Sequence, residues 1–180
     1  MRLVQESGLN KRECFKEERY IKIRIIGACG SGKSYIAKEL SKKYRISHYE
    51  TDNLVWDRSE PYLRYPTEIR DSKLNDIILT ESWIIEGVHH KWGHASFRKA
   101  DLIYIILTNK FQRDYRVLRR FIRTRLGMEQ CNYKQSYKNT EIIELTEEFS
   151  DKRILVRNNK QILKHVERYL EITQGGNNFT

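Results

Sequence analysis

The chain has 180 residues, 39% hydrophobic and 32% charged, which suits one globular domain and excludes a disordered chain. No run approaches the ~18 apolar residues of a membrane span, and the N-terminus lacks a signal-peptide centre, so a cytoplasmic location away from membranes is expected. The 34 Lys and Arg against 24 Asp and Glu leave +10, which favours anionic partners such as nucleotides, phosphorylated metabolites, nucleic acid or acidic surfaces without choosing among them.

Residues 1–19 are charged and turn-rich and read as an N-terminal extension. "YIKIRIIG" (20–27) has the run of a buried strand with polar edges, and a glycine-rich stretch follows. From Lys33 to Tyr44, the apolar residues Ile36, Ala37 and Leu40 share one helical face. "RISHYE" (45–50) reads as a short strand that ends at Thr51-Asp52. Pro61 and Pro66 mark a connection, after which Thr67 is placed to cap the helix of "TEIRDSKLNDIILT". "SWIIEG" (82–87) and "DLIYIILT" (101–108) read as strands buried on both faces. A long basic helix covers about 109–126, and a second helical pattern covers 140–149. "KRILVRN" (152–158) is the last strand, "NKQILKHVERYLEIT" the closing helix, and 175–180 a frayed tail. Strands alternating with helices predict one α/β domain over 20–174, with a mainly parallel five-stranded sheet covered on both faces.

Gly27-Ala28-Cys29-Gly30-Ser31-Gly32-Lys33-Ser34 matches G-x-x-x-x-G-K-[ST] at every fixed position, with a strand before and a helix after. Glycines let the backbone turn tightly, so that successive N–H groups point into one anion-sized hollow. The following helix adds its N-terminal amides and the positive end of its dipole. Gly27, Cys29, Gly30, Ser31, Gly32, Lys33, Ser34 and Tyr35 are therefore the expected phosphate-binding residues. Lys33 would reach the β- and γ-phosphates of ATP, and the Ser34 hydroxyl would join the shell of a Mg²⁺ ion. The dinucleotide fingerprint G-x-G-x-x-G is not matched, which argues against a nicotinamide cofactor. Cys29 lies inside this loop, and with Cys14 and Cys131 it makes neither a disulfide framework nor a zinc site.

Joined to "YETDNLVW" and "SWIIEGVHH", this loop resembles that of the P-loop kinases related to adenylate and shikimate kinases. More closely, the chain resembles the small adenylate-kinase-like proteins known as DNA topology modulation proteins, through Asp52-Asn53-Leu54-Val55-Trp56 and Trp83-Ile84-Ile85-Glu86-Gly87. The resemblance covers residues 20 to about 170. It implies a three-layer α/β/α P-loop NTPase fold of the nucleoside-monophosphate-kinase type. It also implies transfer of the γ-phosphoryl of Mg²⁺-ATP to a small acceptor, whether nucleotide, nucleoside or metabolite. By the same resemblance, Asp52 would contact the acceptor hydroxyl or a Mg²⁺-bound water. A lid at about 110–140 would supply arginines that clamp the transferring group. The chain departs from that family in carrying Glu86 where Asp is usual, in Val88-His89-His90 after the glycine, and in residues 1–19.

Several candidates carry a second reading. Asp52 could instead cap a short helix through "NLVW". Glu86 closes a buried strand, where an acid holds Mg²⁺ through water or pairs with a nearby Lys or Arg. Among the arginines of 110–127, Arg119, Arg120 and Arg123 are the expected phosphate contacts, and a solvated basic face is the alternative for the rest. His89 and His90 face the expected acceptor pocket but read as surface residues, and no His/Cys spacing makes a metal site. Arg64 and Arg70 suit an anionic acceptor or plain surface charge, and Trp56, Tyr62 and Tyr65 suit the pocket wall or packing of the flap. The competing class is a nucleotide-dependent regulator that binds nucleic acid through the basic helix, although no nucleic-acid-binding motif is present. The chain is expected to act as a monomer or homodimer.

Overall fold

A computed structural model describes residues 20–57, 59–60, 63–126 and 138–174. The expected extension 1–19, the tail 175–180, Cys14, Tyr62, Cys131 and the lid loop 127–137 lie outside the described residues. The described strands are β1 (Lys22–Gly27), β2 (His48–Glu50), β3 (Trp83–Glu86), β4 (Leu102–Ile106) and β5 (Arg153–Val156). They form one sheet in the order β2-β3-β1-β4-β5, and every neighbouring pair is parallel. The described helices are α1 (Lys33–Tyr44), α2 (Thr51–Val55), α3 (Thr67–Leu79), α4 (His94–Lys99), α5 (Lys110–Arg125), α6 (Asn139–Glu144) and α7 (Asn159–Gln174). None of these helices is long and apolar enough to cross a membrane.

A parallel sheet needs a crossover after each strand, and the crossover helices bury both of its faces. That is why the central strands are runs of isoleucine rather than alternating patterns. Ile23, Ile25, Ile84 and Tyr104 point to the side covered by Ile36, Ala37 and Leu40 of α1 and Ile162, Val166 and Leu170 of α7. Ile26, Ile85, Ile103 and Ile105 point to the other side, covered by Leu74 and Ile78 of α3, Phe97 of α4 and Ile142 of α6. The result is three layers with the sheet in the middle. The chain runs from β1 outward to β2, back to β3, and then across to β4. The carboxyl end of β1 is therefore the point where the order reverses, the usual place for a ligand crevice.

Local details correct the sequence expectations. β2 starts at His48 instead of residue 45, because Arg45 takes a left-handed conformation (φ 59°) that ends α1. Thr67 is the first helical residue of α3 rather than its cap; Pro66 holds the cap position, and its carbonyl accepts from the Arg70 N–H at 3.0 Å. The 140–149 pattern divides into α6 and a 3₁₀ turn at Glu147–Phe149. α4, six residues long, is too short to leave a periodic signal in the sequence.

Arg24, in the middle of β1, is fully buried. All five of its guanidinium N–H groups find acceptors. Nε donates to Ser96 Oγ (3.1 Å), Nη1 to the carbonyls of Ile25 (2.9 Å) and Ile85 (3.1 Å), and Nη2 to those of Gly87 (3.1 Å) and His89 (3.3 Å). Its plane lies over the Phe97 ring, 4.6 Å from the centroid. Burial pushes its pKa down to about 10, while the charge of Glu86 pulls it back up, so it stays cationic at neutral pH. Arg24→Met should lower the unfolding free energy by about 3 kcal/mol or more, because carbonyls left without a donor in the interior are costly. Urea denaturation measures this, and an unchanged midpoint would contradict it.

Candidate active site

The loop from Gly27 to Lys33 turns under α5. Gly30 (φ 76°) and Gly32 (φ 95°) take left-handed conformations that side chains rarely adopt. A Cβ at Gly30 would stand 3.0 Å from both the Arg113 carbonyl oxygen and Val117 Cγ2, so the close approach of α5 also requires glycine. Gly32 is the N-cap of α1, and no side chain caps that end, which leaves its amides for an anion. Lys33 Nζ folds back to donate to the Ala28 carbonyl at 3.1 Å. The loop is braced from outside by three donors. Thr108 Oγ1 donates to the Ser31 carbonyl (3.2 Å), Arg116 Nη1 reaches the carbonyls of Gly30 (3.3 Å) and Ser31 (3.4 Å), and Asn159 Nδ2 reaches that of Gly32 (3.4 Å). Ser31 Oγ is buried with no hydrogen-bond partner. Uncapped helix amides and a lysine at the end of the loop fit a polyphosphate.

Ser34, one residue into α1, donates its hydroxyl to Glu86 Oε1 at 2.6 Å. Glu86 ends β3 and is buried. Burial pushes its carboxyl above the usual range, opposed by the Lys33 ammonium and the Ser34 hydrogen bond. A hydroxyl and a carboxylate paired beside a phosphate hollow are oxygen donors that fit Mg²⁺. The same face of the sheet brings His48 and Glu50 beside Glu86, a grouping that sequence spacing did not offer.

Asp52 lies in the first turn of α2, and Glu50 rather than Asp52 is the capping residue. Its Oδ1 stands 3.0 Å from His89 Nε2. Gly87 (φ 138°) makes this possible, since a Cβ there would fall 1.8 Å from Thr51 Oγ1 and force α2 away from the end of β3. The His89 ring packs against Trp92 (centroids 5.3 Å apart), and the Arg70 guanidinium covers the Trp92 ring at 4.6 Å. Arg70 also pairs with Asp71. Arg64 instead lies over Trp56, and Lys73 over Tyr65.

The fold thus gathers the loop residues, Ser34 and Glu86 at one point and sets Asp52 at the end of the next strand. Cys29 is partly exposed in the loop, and Tyr35 is exposed on α1. Arg119 and Arg123 lie along the outer side of α5 with Tyr115, Leu118 and Ile122. Arg120 is on the same helix, with its side chain outside the described residues. Among the described α5 arginines, Arg116 hydrogen-bonds the phosphate loop. Sequence reasoning passed over it, and over Asn159, because periodicity shows which arginines share a face but not which face meets the loop.

No protein-family model matches the chain. The uncharacterized protein YqaC of Bacillus subtilis (strain 168) is 32% identical over 84 residues, which make up 47% of this chain and 47% of that protein. The chain therefore matches about half the length of this curated relative. Among solved structures, a shikimate kinase from Acinetobacter baumannii in complex with shikimate superposes with a TM-score of 0.53 at 12% identity, over 89% of this chain and 97% of that one. The fold is that of the P-loop kinases. A gluconokinase from Sinorhizobium meliloti 1021 has a TM-score of 0.48 at 13% identity, over 88% of this chain and 99% of that one.

The environment of Glu86 makes a prediction about stability. A carboxyl whose pKa is raised on folding binds protons more readily folded than unfolded, so stability falls as pH rises from the unfolded value of 4.5 through the folded one. Glu86→Gln removes that loss and keeps an acceptor for Ser34. In chelator-treated buffer it should melt above the wild type at pH 7, with the difference shrinking toward pH 4. Thermal melts across this range decide it, and a variant less stable at pH 7 would count against the assignment.

Proposed function

We propose that this protein is an ATP-dependent kinase that transfers the γ-phosphoryl group to a hydroxyl of a small acceptor. The observation that carries the reading is the Ser34–Glu86 contact at the mouth of the phosphate loop, with the Asp52–His89 pair at the end of the neighbouring strand. The loop amides and Lys33 hold the phosphate chain, and Lys33 leaves the Ala28 carbonyl to do so. Ser34 would hold Mg²⁺ directly and Glu86 through water, and the ion would supply positive charge to offset the charge that develops on the phosphates. Asp52 takes up the acceptor proton, and His89, fixed by Trp92 and by the Arg24 bond to its carbonyl, orients the carboxylate. Arg70 and Trp92 line the acceptor side. On this reading Arg119 contacts ATP, and Arg120 and Arg123 stabilise the transferring group. Positioning and charge stabilisation then do most of the catalysis. The A. baumannii protein of the same fold is a shikimate kinase seen with shikimate, which supports a small-molecule acceptor. The narrower kinship with adenylate-kinase-like topology modulation proteins rests on Asp52–Trp56 and Trp83–Gly87 and belongs to the same proposal.

Lys33→Ala should weaken ATP binding at least tenfold in calorimetry on folded protein, the loss expected for charge-assisted bonds worth about 1.5–3 kcal/mol. Asp52→Asn should instead leave ATP affinity nearly unchanged and slow acceptor-dependent ADP release about 100-fold or more, the usual worth of a general base. A screen of nucleosides, nucleotides and small hydroxylated metabolites supplies the acceptor for that assay.

One observation favours a second reading. α5 exposes Phe111, Tyr115 and Phe121 beside its arginines, a combination that also suits stacking on single-stranded nucleic acid. Replacing Arg120 and Arg123 together by Ala separates the two. The kinase reading expects turnover to fall far more than ATP affinity. Turnover that survives, with loss of salt-dependent nucleic-acid binding, would favour the regulator.

A further inference from the structure

β2 and β3 are adjacent and parallel, with His48 opposite Ile84 and Glu50 opposite Glu86. Residues two apart on a strand share a face, so His48 and Glu50 point to the same side as Ile84 and Glu86, the side covered by α1. One ligand atom from each of His48, Glu50 and Glu86 lies within 4.8 Å of the other two. His48 Nε2 is buried and has no hydrogen-bond partner. A buried ring nitrogen without a partner is costly and calls for an explanation. Beside it stand two carboxylates, and burial, with a smaller push from the Glu50 charge, raises the pKa of Glu86. Glu50 pairs with Lys38 Nζ at 3.6 Å, on a side chain that is 67% exposed, a pairing too solvated to hold Glu50 firmly.

We propose that His48, Glu50 and Glu86 form a site for one divalent transition-metal ion of the Mn²⁺ to Zn²⁺ series. One imidazole nitrogen and two carboxylates suit such an ion, whereas Mg²⁺ takes oxygen donors and keeps its waters. Metal–ligand bonds of about 2.0–2.2 Å need the three donor atoms drawn to roughly 3–3.5 Å from one another, a change that side-chain rotation supplies while the strands stay paired. The ion would satisfy His48 Nε2 and relieve the repulsion between the two acids. Glu86 is common to this site and to the proposed Mg²⁺ position beside Ser34, so a metal held here would lie next to the phosphate loop. The inference rests on side-chain placement and needs neither nucleotide nor turnover.

The test uses the full chain, chelator-treated and free of nucleotide, titrated with Mn²⁺ and followed by the loss of the free-ion electron paramagnetic resonance signal. One Mn²⁺ should bind per chain, with ¹⁴N coupling from the imidazole in the electron spin-echo spectrum, and a tenfold excess of Mg²⁺ should not displace it. His48→Asn should abolish the nitrogen coupling and weaken binding tenfold or more. Glu50→Gln should weaken binding similarly, and Lys38→Ala, which frees Glu50 without touching a ligand, should tighten it severalfold. Lys33→Ala should keep the Mn²⁺ site even where it loses ATP, so that this inference and the kinase reading can fail separately. Absence of stoichiometric binding, bound Mn²⁺ without nitrogen coupling, or wild-type affinity in folded Glu50→Gln would overturn it.

Discussion

The structure depends first on a charge held inside it. Arg24 sits at the centre of the sheet, and its five donors bind the ends of two strands, the turn after β3 and the start of α4. A cation buried this deeply is tolerated only when every N–H is occupied, and here the occupation is complete. The carbonyls it binds belong to Ile25, Ile85, Gly87 and His89, the backbone on either side of Glu86. The guanidinium therefore fixes where Glu86 leaves the sheet and where His89 meets Asp52. A side chain on one face of β1 sets the geometry of groups that act on the other.

Around that anchor, opposite charges lie close together at the carboxyl edge. Glu86 is held uncomfortably, with burial against it and Lys33, Ser34 and Arg24 in its favour. Lys33 donates to a carbonyl of its own loop, and its charge also reaches the acid. An edge of this kind is poised for ligands that bring both signs of charge. A polyphosphate would find the lysine and the helix amides there, and a divalent cation the acids. Stability withheld at Glu86 is the counterpart of that readiness, as expected where burial raises a carboxyl pKa beside a binding crevice.

α5 has a different character. It contacts the phosphate loop through Arg113, Arg116 and Val117, yet leaves Phe111, Tyr115, Leu118, Phe121 and Ile122 exposed. A helix attached along one stripe with so little apolar cover is among the least firmly held parts of a fold. Its contact with Gly30 nevertheless ties its position to the loop backbone. α5 packs so closely on the loop that a Cβ at Gly30 would stand 3.0 Å from the Arg113 carbonyl oxygen and Val117 Cγ2.

The sequence by itself determined the sheet and the phosphate loop. Runs such as "IKIRIIG" and "LIYIIL" can be stable only between two covering layers, and the loop is a local object whose glycines, lysine and serine are contiguous. It also placed Glu86 at the end of an apolar run and Asp52 just after a short strand. Tertiary structure decided what depends on two segments meeting. Arg24 reads along the chain as one polar residue in an apolar strand, and its partners lie as far as 72 residues away. Asp52 and His89 are 37 residues apart and meet because Gly87 lets α2 approach β3. His48 and Glu50 join Glu86 through strand register, and Arg116 rather than Arg119 reaches the loop through the rotation of α5 about its axis. Hydrophobic period and local motif are written in neighbouring residues, whereas register and helix rotation are fixed by packing between elements distant in the chain.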